Sequence, residues 1–202
     1  DKKILKINLA KGELKEFNSA ENLEAALAAS SKEAIFFFLK PGKLMIFGTG
    51  DQAGFRDNFS LELPSPDAEF ISLATHLQNI YFLETKSGEI IKYPRPFKKG
   101  EFWLKSGTKK AKEAKSITID SSIWVLKENN IISQYQKGDY VGDLKFDFFP
   151  FPRKLQKIFT SSELPYFYIL EVWQNRIIVL SKTGENIKQF QSIQFDNLKD
   201  FT

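Results

Sequence analysis

Few side chains in this sequence have the chemistry of a catalyst, and they form no recognised catalytic motif. The 202 residues include no Cys and a single His, His76, which excludes cysteine nucleophiles, disulfide bonds and metal sites built from several cysteines or histidines. The Gly48-Thr49-Gly50 stretch lacks the Gly and Lys that follow in a phosphate-binding loop, and no Gly-x-Ser-x-Gly elbow occurs. The sequence therefore predicts no cofactor and no metal site, and we expect a protein that is not an enzyme.

Asp120 and Asp200 are candidates for a general acid and a general base. Each closes a segment that is predicted below to be an inner strand, so the two carboxylates could meet near a common axis. An Asp at the end of a strand more often supports a turn. A hydrolase or lyase with an axial carboxylate site is therefore an alternative and not the favoured interpretation.

Basic side chains form a second group with functional potential. Lys and Arg number 29 against 25 Asp and Glu, which gives a mild net charge of +4. The densest stretch is 105–115 (KSGTKKAKEAK), which we expect to be a mobile spacer or a short helix-like insertion. The candidate basic binding residues, all predicted on one face, are Lys109, Lys110, Lys112, Lys115, Arg153 and Lys154. Such a face could bind RNA or an acidic protein surface. Solvated loop charge is the simpler interpretation, because no basic run is interleaved with aromatics in an RNA-binding pattern.

Trp173 is the last candidate binding residue. It lies in a predicted hairpin turn, where the turn itself needs no large aromatic side chain. An exposed Trp there would be a binding residue, whereas packing on a neighbouring sheet is the simpler interpretation. The stretches 93–97 (YPRPF) and 148–152 (FFPFP) could likewise form an exposed surface for a partner, or cover the edge of an outer strand.

An internal repeat must position these residues. Four segments of six residues align without gaps and begin 45, 43 and 44 residues apart: AIFFFL from 34, NIYFLE from 79, SIWVLK from 122 and YFYILE from 166. Their third position is always aromatic and holds Phe36, Tyr81, Trp124 and Tyr168. Four aromatics in one column at near-constant spacing indicate a genuine repeat.

Each repeat of about 44 residues contains strand-like runs separated by turn sequences such as Pro41-Gly42 and Ser87-Gly88. Four short strands at this spacing are typical of a β-propeller blade, which buries both faces against its neighbours. The second strand of a blade should read as a continuous apolar run, as the aligned segments do. We therefore predict an all-β propeller, since a β-sandwich explains the strands but not the repeated column. In the first repeat the inner strand falls on 22–30 (NLEAALAAS), whose Ala-rich composition could equally form a short helix.

The two ends of the chain suggest one further, shared blade. Residues 3–17 read as a hairpin, and 197–202 (NLKDFT) resemble the inner-strand segment 155–160. Building one blade from both termini removes exposed sheet edges. The prediction is a single domain over 1–202 with about five blades, the last one composite and lacking a recognisable second strand. A fragment of a larger propeller is the alternative, and because the sequence starts at Asp1 we expect one module of a longer chain.

Residues 166–190 (YFYILEVWQNRIIVLSKTGENIKQF) resemble a blade of the NHL-type propeller family. The Asn175-Arg176-Ile177 step and the turn at Gly184 match the Asn, Arg-Ile and Gly positions of that family's pattern. Glu171 and Val172-Trp173 replace its usual Asp and Gly, and the other three repeats lack the Asn-Arg pair. The resemblance implies a propeller that commonly binds or scaffolds proteins or RNA, with some enzymes among the relatives. It supplies no catalytic residue, because the shared positions are structural.

The favoured function is a non-catalytic propeller that binds a protein partner or acts as a scaffold through its loops. The first alternative is a propeller that binds RNA or another polyanion through the basic loops. No strongly apolar run exceeds six residues, so no membrane-spanning helix is expected in this stretch.

Overall fold

The chain forms strands joined by turns and irregular connections. The computed structural model of the protein describes residues 2–8, 11–193, 195, 198, 200 and 201. These residues form eighteen strands and no α-helix, and they include no helix that is long and apolar enough to cross a membrane. The prediction of an all-β chain is confirmed.

A two-stranded hairpin comes first, followed by four antiparallel sheets of four strands, which we call blades I to IV. The hairpin consists of β1 (Lys3–Asn8) and β2 (Glu13–Asn18). Blade I consists of β3 (Leu27–Ser30), β4 (Ala34–Leu39), β5 (Lys43–Gly48) and β6 (Gly54–Ser60). Blade II consists of β7 (Phe70–His76), β8 (Asn79–Glu84), β9 (Ile90–Pro94) and β10 (Glu101–Phe102).

Blades III and IV repeat this arrangement. Blade III consists of β11 (Ala114–Ile119), β12 (Ile123–Lys127), β13 (Ile131–Gln136) and β14 (Asp139–Lys145). Blade IV consists of β15 (Leu155–Phe159), β16 (Tyr166–Glu171), β17 (Arg176–Ser181) and β18 (Asn186–Gln191). In every blade the four strands pair in chain order, so each connection to the next blade runs from a fourth strand to a first strand.

The first strands of the blades lie side by side around an axis. β7 contacts both β3 and β11, and β11 also contacts β15. Blades I and IV meet as well, because the Lys157 ammonium on β15 donates to the Ala28 carbonyl on β3 at 3.4 Å and Lys32 pairs with Glu163. The predicted propeller arrangement is confirmed with four blades, and the β-sandwich alternative is wrong.

Side-chain hydroxyls join the first strands of neighbouring blades, which belong to separate sheets. The Ser72 hydroxyl on β7 accepts from the Ile117 amide on β11 at 3.2 Å. The Ser116 hydroxyl on β11 accepts in the same way from the Ile158 amide on β15 at 3.2 Å. These bonds satisfy buried amides that no backbone partner reaches, and they hold the blades in register around the axis.

Three of the four aromatics of the repeated column face the next blade. Phe36 lies in the apolar layer between blades I and II, Tyr81 between II and III, and Trp124 between III and IV. Tyr168, the fourth, is half-buried on the flank of blade IV that faces away from blade III, since its neighbour Phe167 packs toward blade III. Both faces of β8 and β12 are therefore covered, which explains why these segments are apolar at successive positions.

Two segments for which the sequence allowed a short helix are not helical. Residues 27–30 form β3 and not a short helix, because pairing with β4 completes the sheet of blade I. Segment 105–115 contains no helix before β11 and is tied to the blades on both sides. Within it, the Thr108 hydroxyl accepts from the Tyr140 amide at 2.8 Å, and the Ala111 amide donates to the Gly88 carbonyl at 2.8 Å.

At the N-terminal end predicted to contribute to a fifth blade, the structure describes the hairpin β1–β2. Of the predicted inner strand 197–202, residues 197, 199 and 202 lie outside the described residues, and residues 198, 200 and 201 are not in a strand. The count of five blades is therefore not confirmed.

Phe82 provides a test of the stacked-blade core. Its ring is fully buried, 4.6 Å from the Phe70 ring and 5.0 Å from the Phe38 ring, centroid to centroid. We expect Phe82→Ala to lower the free energy of unfolding by about 3 to 5 kcal/mol, because it leaves a cavity between blades I and II. The exposed Phe102 is the matched control, and Phe102→Ala should change it by less than about 0.5 kcal/mol. Urea unfolding followed by circular dichroism measures both, and equal losses would contradict this account of the core.

Candidate binding surface

One side of the propeller carries two kinds of loop. Turns between second and third strands lie there beside the connections between blades, because strand direction alternates within each sheet. Lys40 in the blade I turn pairs with Glu69 in the connection to blade II at 2.9 Å, and Lys86 in the blade II turn pairs with Asp67 at 3.0 Å. We call this side the loop face. All seven predicted binding residues lie in its segments or directly beside them.

The lysines of segment 105–115 are largely paired within the chain. The pairs are Lys105–Asp139, Lys109–Asp143, Lys110–Glu89 and Lys115–Glu128. Hydrogen bonds to Asp143 and Tyr140 raise the pKa of Lys109 and hold it in the charged form. Lys112 is exposed, with no ion pair among the described residues. The charge of this stretch is thus mostly compensated locally, which weakens its attraction for a polyanion.

Three of the predicted residues come together at blade IV. The Trp173 side chain is 62% exposed, and the Arg153 guanidinium lies 5.8 Å from its ring centroid. Lys154 follows Arg153 and is exposed, and Phe151 of the same connection is 60% exposed. We call Phe151, Arg153, Lys154 and Trp173 the aromatic–basic cluster. Trp173 does not pack away against a neighbouring sheet, so it has the exposure that a binding residue needs.

The buried Glu171 positions this cluster. One carboxylate oxygen accepts from the Trp173 amide at 3.2 Å and from the Lys154 amide at 3.2 Å. The other accepts from the Arg176 guanidinium at 3.3 Å, with both side chains almost fully buried. Glu171 therefore ties the turn that carries Trp173 to the connection that carries Arg153 and Lys154.

Arg176, the residue of the NHL-like Asn-Arg-Ile step, completes this support. Its guanidinium donates to the Gln189 side chain at 2.8 Å and to the Pro150 carbonyl. It also lies over the Phe148 ring at 5.2 Å. Within the motif that carries the family resemblance, Arg176 thus fixes the base of the connection that carries Phe151.

Glu84 plays the same part in blade II as Glu171 in blade IV. Both occupy the sixth position of the repeated segment. The Glu84 carboxylate accepts from the Ser87 amide at 2.7 Å and from the Glu69 amide at 3.3 Å, so it also joins a turn to a connection. Burial acts to raise the pKa of Glu84, but the hydrogen bonds from Ser87, Lys86 and Glu69 outweigh it and lower the pKa below 4.5. Sequence reasoning missed this role, although the recurrence of Glu at one position was visible.

A groove of about 630 Å³ opens beside the aromatic–basic cluster. Its apolar walls include Ile71, Phe151 and Leu155, and its charged lining has three basic side chains and one acidic: Lys115, Arg153, Lys154 and Glu128. Asn130 also lines the groove, and its buried amide nitrogen has no hydrogen-bond partner in the described part of the chain. The groove therefore offers apolar walls, a net positive charge and a buried amide donor of Asn130.

The two candidate catalytic carboxylates have different basic partners. Asp120 accepts from the Trp124 indole at 2.9 Å and from the Lys182 ammonium at 2.8 Å. Asp200 pairs with Lys157 at 2.8 Å, beside a second cavity of about 580 Å³ between the first strands, and Asp120 does not line that cavity. Over the described ranges, no three His, Cys, Asp or Glu side chains are grouped so that they could hold a metal ion.

Comparison with known proteins supports the fold. No protein-family model and no curated protein match the chain. Solved structures of propellers do match. Virginiamycin B lyase from Staphylococcus aureus is 18% identical with a TM-score of 0.57, and the match covers 95% of this chain and 64% of the lyase chain.

Two further matches are similar in quality. A nidogen/laminin complex gives 12% identity, a TM-score of 0.61 and coverage of 96% of this chain and 73% of the other. Glutaminyl cyclase from Myxococcus xanthus is 11% identical with a TM-score of 0.64, and the match covers 94% of this chain and 77% of the cyclase chain. The chain thus spans less than two thirds of the lyase and somewhat more of the other two. At such low identity these likenesses show the fold alone, and they include both enzymes and a protein complex.

Removing Glu171 should destabilise the protein strongly. We expect Glu171→Ala to cost about 3 to 5 kcal/mol of unfolding free energy, because it leaves the Arg176 charge buried and unpaired. Glu163→Ala is the control, since the exposed Glu163–Lys32 pair should contribute less than about 1 kcal/mol. Urea unfolding measures both variants. Similar losses in the two would show that Glu171 is not a structural centre.

The lowered pKa of Glu84 predicts sensitivity to acid. Because its pKa in the folded state lies below the ordinary value of 4.5, the ionised carboxyl stabilises the fold above that value, and this contribution is lost as pH falls through the folded-state pKa. The urea midpoint of the natural sequence should therefore fall more steeply between about pH 5 and about pH 3 than that of Glu84→Gln. Glu101→Gln, on an exposed strand, changes the net charge equally and should keep the original slope. Parallel slopes for the natural sequence and Glu84→Gln would contradict the prediction.

Proposed function

We propose that this chain is a protein-binding module that captures its partner with the aromatic–basic cluster and the adjoining groove. The observation that carries the proposal is the joint exposure of Trp173 and Phe151 beside Arg153 on one rigid support. Trp, Tyr and Arg dominate the energetics of protein interfaces, and fixed aromatic side chains lose little entropy on binding. Hydrogen bonds from both loop segments to Glu171 supply that rigidity.

The lining of the groove specifies the partner's chemistry. Three basic side chains against one acidic side chain favour a segment with Asp or Glu residues. The apolar wall around Phe151 favours an aliphatic or aromatic anchor next to them. The lysines most expected to attract a polyanion, Lys109 and Lys110, are occupied by ion pairs, so a protein segment is the better-supported ligand than RNA.

Enzymatic activity has less support than binding. The Asp120 carboxylate accepts hydrogen bonds from Trp124 and Lys182, and the Asp200 carboxylate pairs with Lys157. Each carboxylate therefore already has a partner of its own, and no contact joins the two as an acid–base pair among the described residues. The matching solved structures carry enzyme and non-enzyme names alike, so fold similarity favours neither.

The proposed architecture is a single domain over 1–202 with a fifth, incomplete blade. The hairpin β1–β2 lies next to blade I, and the Phe201 ring lies 6.2 Å from Phe159 on the first strand of blade IV. These are the places that the outer and inner strands of a further blade would take. The role of Arg176 under the connection supports an NHL-like character for blade IV.

Selection of a ligand from a displayed library of random peptides tests the binding function. Peptides retained by the natural chain should combine acidic residues with an apolar anchor, and Trp173→Ala should weaken their binding by about thirtyfold, equivalent to about 2 kcal/mol. Phe102→Ala removes an exposed aromatic from the outer edge of blade II and should leave affinity unchanged. Calorimetric titration of one selected peptide measures all three proteins.

The same preparations separate protein binding from polyanion binding. The proposal would be overturned in favour of the polyanion alternative by two results together. The library would yield no peptide, and heparin retention would fall in Lys109→Glu and Lys110→Glu but not in Trp173→Ala. Peptide binding that Trp173→Ala and Arg153→Glu leave intact would also overturn it, because the cluster would then not be the site.

A further inference from the structure

Arg153 and Trp173 form a pair with a defined spacing within the aromatic–basic cluster. The Arg153 guanidinium lies 5.8 Å from the centroid of the Trp173 ring, which is within the range of a cation–π contact. The Arg153 amide donates to one oxygen of the Glu171 carboxylate at 3.4 Å, and the Trp173 amide donates to the same oxygen at 3.2 Å. Because the backbones of both residues are held by one buried group, the spacing between them is fixed.

The Arg153 guanidinium has no acidic partner among the described residues. The side chain is exposed, and its contact with the Trp173 ring is the interaction described for it. Glu128, the acidic residue of the groove lining, is occupied by the Lys115 ammonium at 2.5 Å. Arg153 therefore presents its planar fork of N–H donors to solvent beside an exposed aromatic ring.

The positive charge that the groove leaves for a ligand comes from Arg153 and Lys154. Lys115 and Glu128 compensate each other, whereas neither Arg153 nor Lys154 has an ion pair in the described part of the chain. A lysine ammonium is a point charge on a flexible stem, but an arginine can donate two parallel hydrogen bonds to one carboxylate. Arg153 thus has the means to select a carboxylate by geometry as well as by charge.

The distance between Arg153 and Trp173 limits the spacing of ligand side chains that contact both. In an extended segment, side chains alternate between two sides, and those two positions apart lie roughly 6.6 Å apart on the same side. This value is close to the 5.8 Å between the guanidinium and the ring. Neighbouring side chains point to opposite sides, and those four positions apart are separated by roughly 13 Å, so neither arrangement matches the pair.

We propose that Arg153 determines the specificity of the site by binding the carboxylate of an Asp or Glu two positions from an apolar anchor that packs on Trp173. The exposed Phe151 of the groove wall extends the apolar contact for that anchor. The recognised segment of the partner is extended, with one residue of any type between the anchor and the acidic residue. This inference rests on the protein-binding function proposed above and specifies the residue pattern of the partner.

A displayed peptide library with one fixed Leu or Phe and random residues on both sides tests the pattern. Among the peptides that the natural chain retains, sequencing should show Asp or Glu enriched by about tenfold or more at the second position from the fixed residue. The enrichment follows because the charge-assisted bonds to Arg153 form only when the anchor also reaches Trp173. The first and third positions should show no such enrichment.

Variants of Arg153 locate the acidic side chain. Arg153→Glu should change the preference at that same position from Asp and Glu to Lys and Arg, since attraction now requires the opposite charge. Arg153→Lys keeps the charge but loses the fork, and it should weaken binding of one selected peptide by about tenfold. Calorimetric titration measures the affinities.

Lys112→Gln is the matched control for these variants. It removes an exposed cation of the same face that is not part of the groove lining, so the selected peptide should bind it as it binds the natural chain. Because the Arg153 side chain is exposed, both of its variants should keep the urea midpoint of the natural chain. A loss of peptide binding then reports on the contact and not on the fold.

The outcomes distinguish this inference from the proposed function. If Trp173→Ala weakens the retained peptides but acidic residues have no preferred position, or Arg153→Glu leaves their preference unchanged, the role of Arg153 is overturned while the binding function is supported. Enrichment of acidic residues at the first or third position instead of the second would overturn the extended pattern. If no retained peptide depends on Trp173, the proposed function fails, and this inference fails with it.

Discussion

Burial of both faces of each second strand is the constraint on which the structure depends. A four-stranded sheet with two apolar faces needs a cover on each side, and the neighbouring blade provides it. Phe36, Tyr81 and Trp124 show the result, since each lies in the layer between its own blade and the next. The stack has two ends, however, and within the described residues the outer face of each end sheet has no neighbouring blade to cover it. The half-buried Tyr168 and the exposed Leu5 mark them.

A second constraint acts on the loop face, where backbone amides must find acceptors outside the sheets. The carboxylates of Glu84 and Glu171 each collect amides from a turn and from a blade-to-blade connection. In blade IV this arrangement also buries Arg176 and leaves Trp173 projecting into solvent. Stability and the proposed binding are therefore coupled in blade IV, because the Glu171 carboxylate that stabilises the fold also positions the turn that carries the exposed Trp173.

Much of the fold could be read from the sequence because it repeats. Four aligned aromatics and a spacing near 44 residues were enough to predict strands, blades and the order of strands within a blade. The state of 22–30 was ambiguous, since Ala-rich composition is compatible with a helix until the partner strand β4 is known. The binding surface was predicted less well. Seven residues were nominated by charge or residue type, and the structure gathers Arg153, Lys154 and Trp173 into one cluster. Lys109 and Lys110 instead pair with acids far from them in sequence, and a single sequence without coordinates does not show such pairings.

The hydroxyl bonds between inner strands have a consequence for how such a molecule can change over evolutionary time. Ser72 and Ser116 each reach across a blade junction with one short, rotatable side chain, and the first strands that they join belong to separate sheets in the described part of the chain. The angle between adjacent sheets can therefore adjust by small amounts without breaking hydrogen bonds within any sheet. Duplication or loss of one unit of about 44 residues would redistribute that angle over the remaining junctions, so the number of units can vary among descendants while every sheet keeps its own pairing.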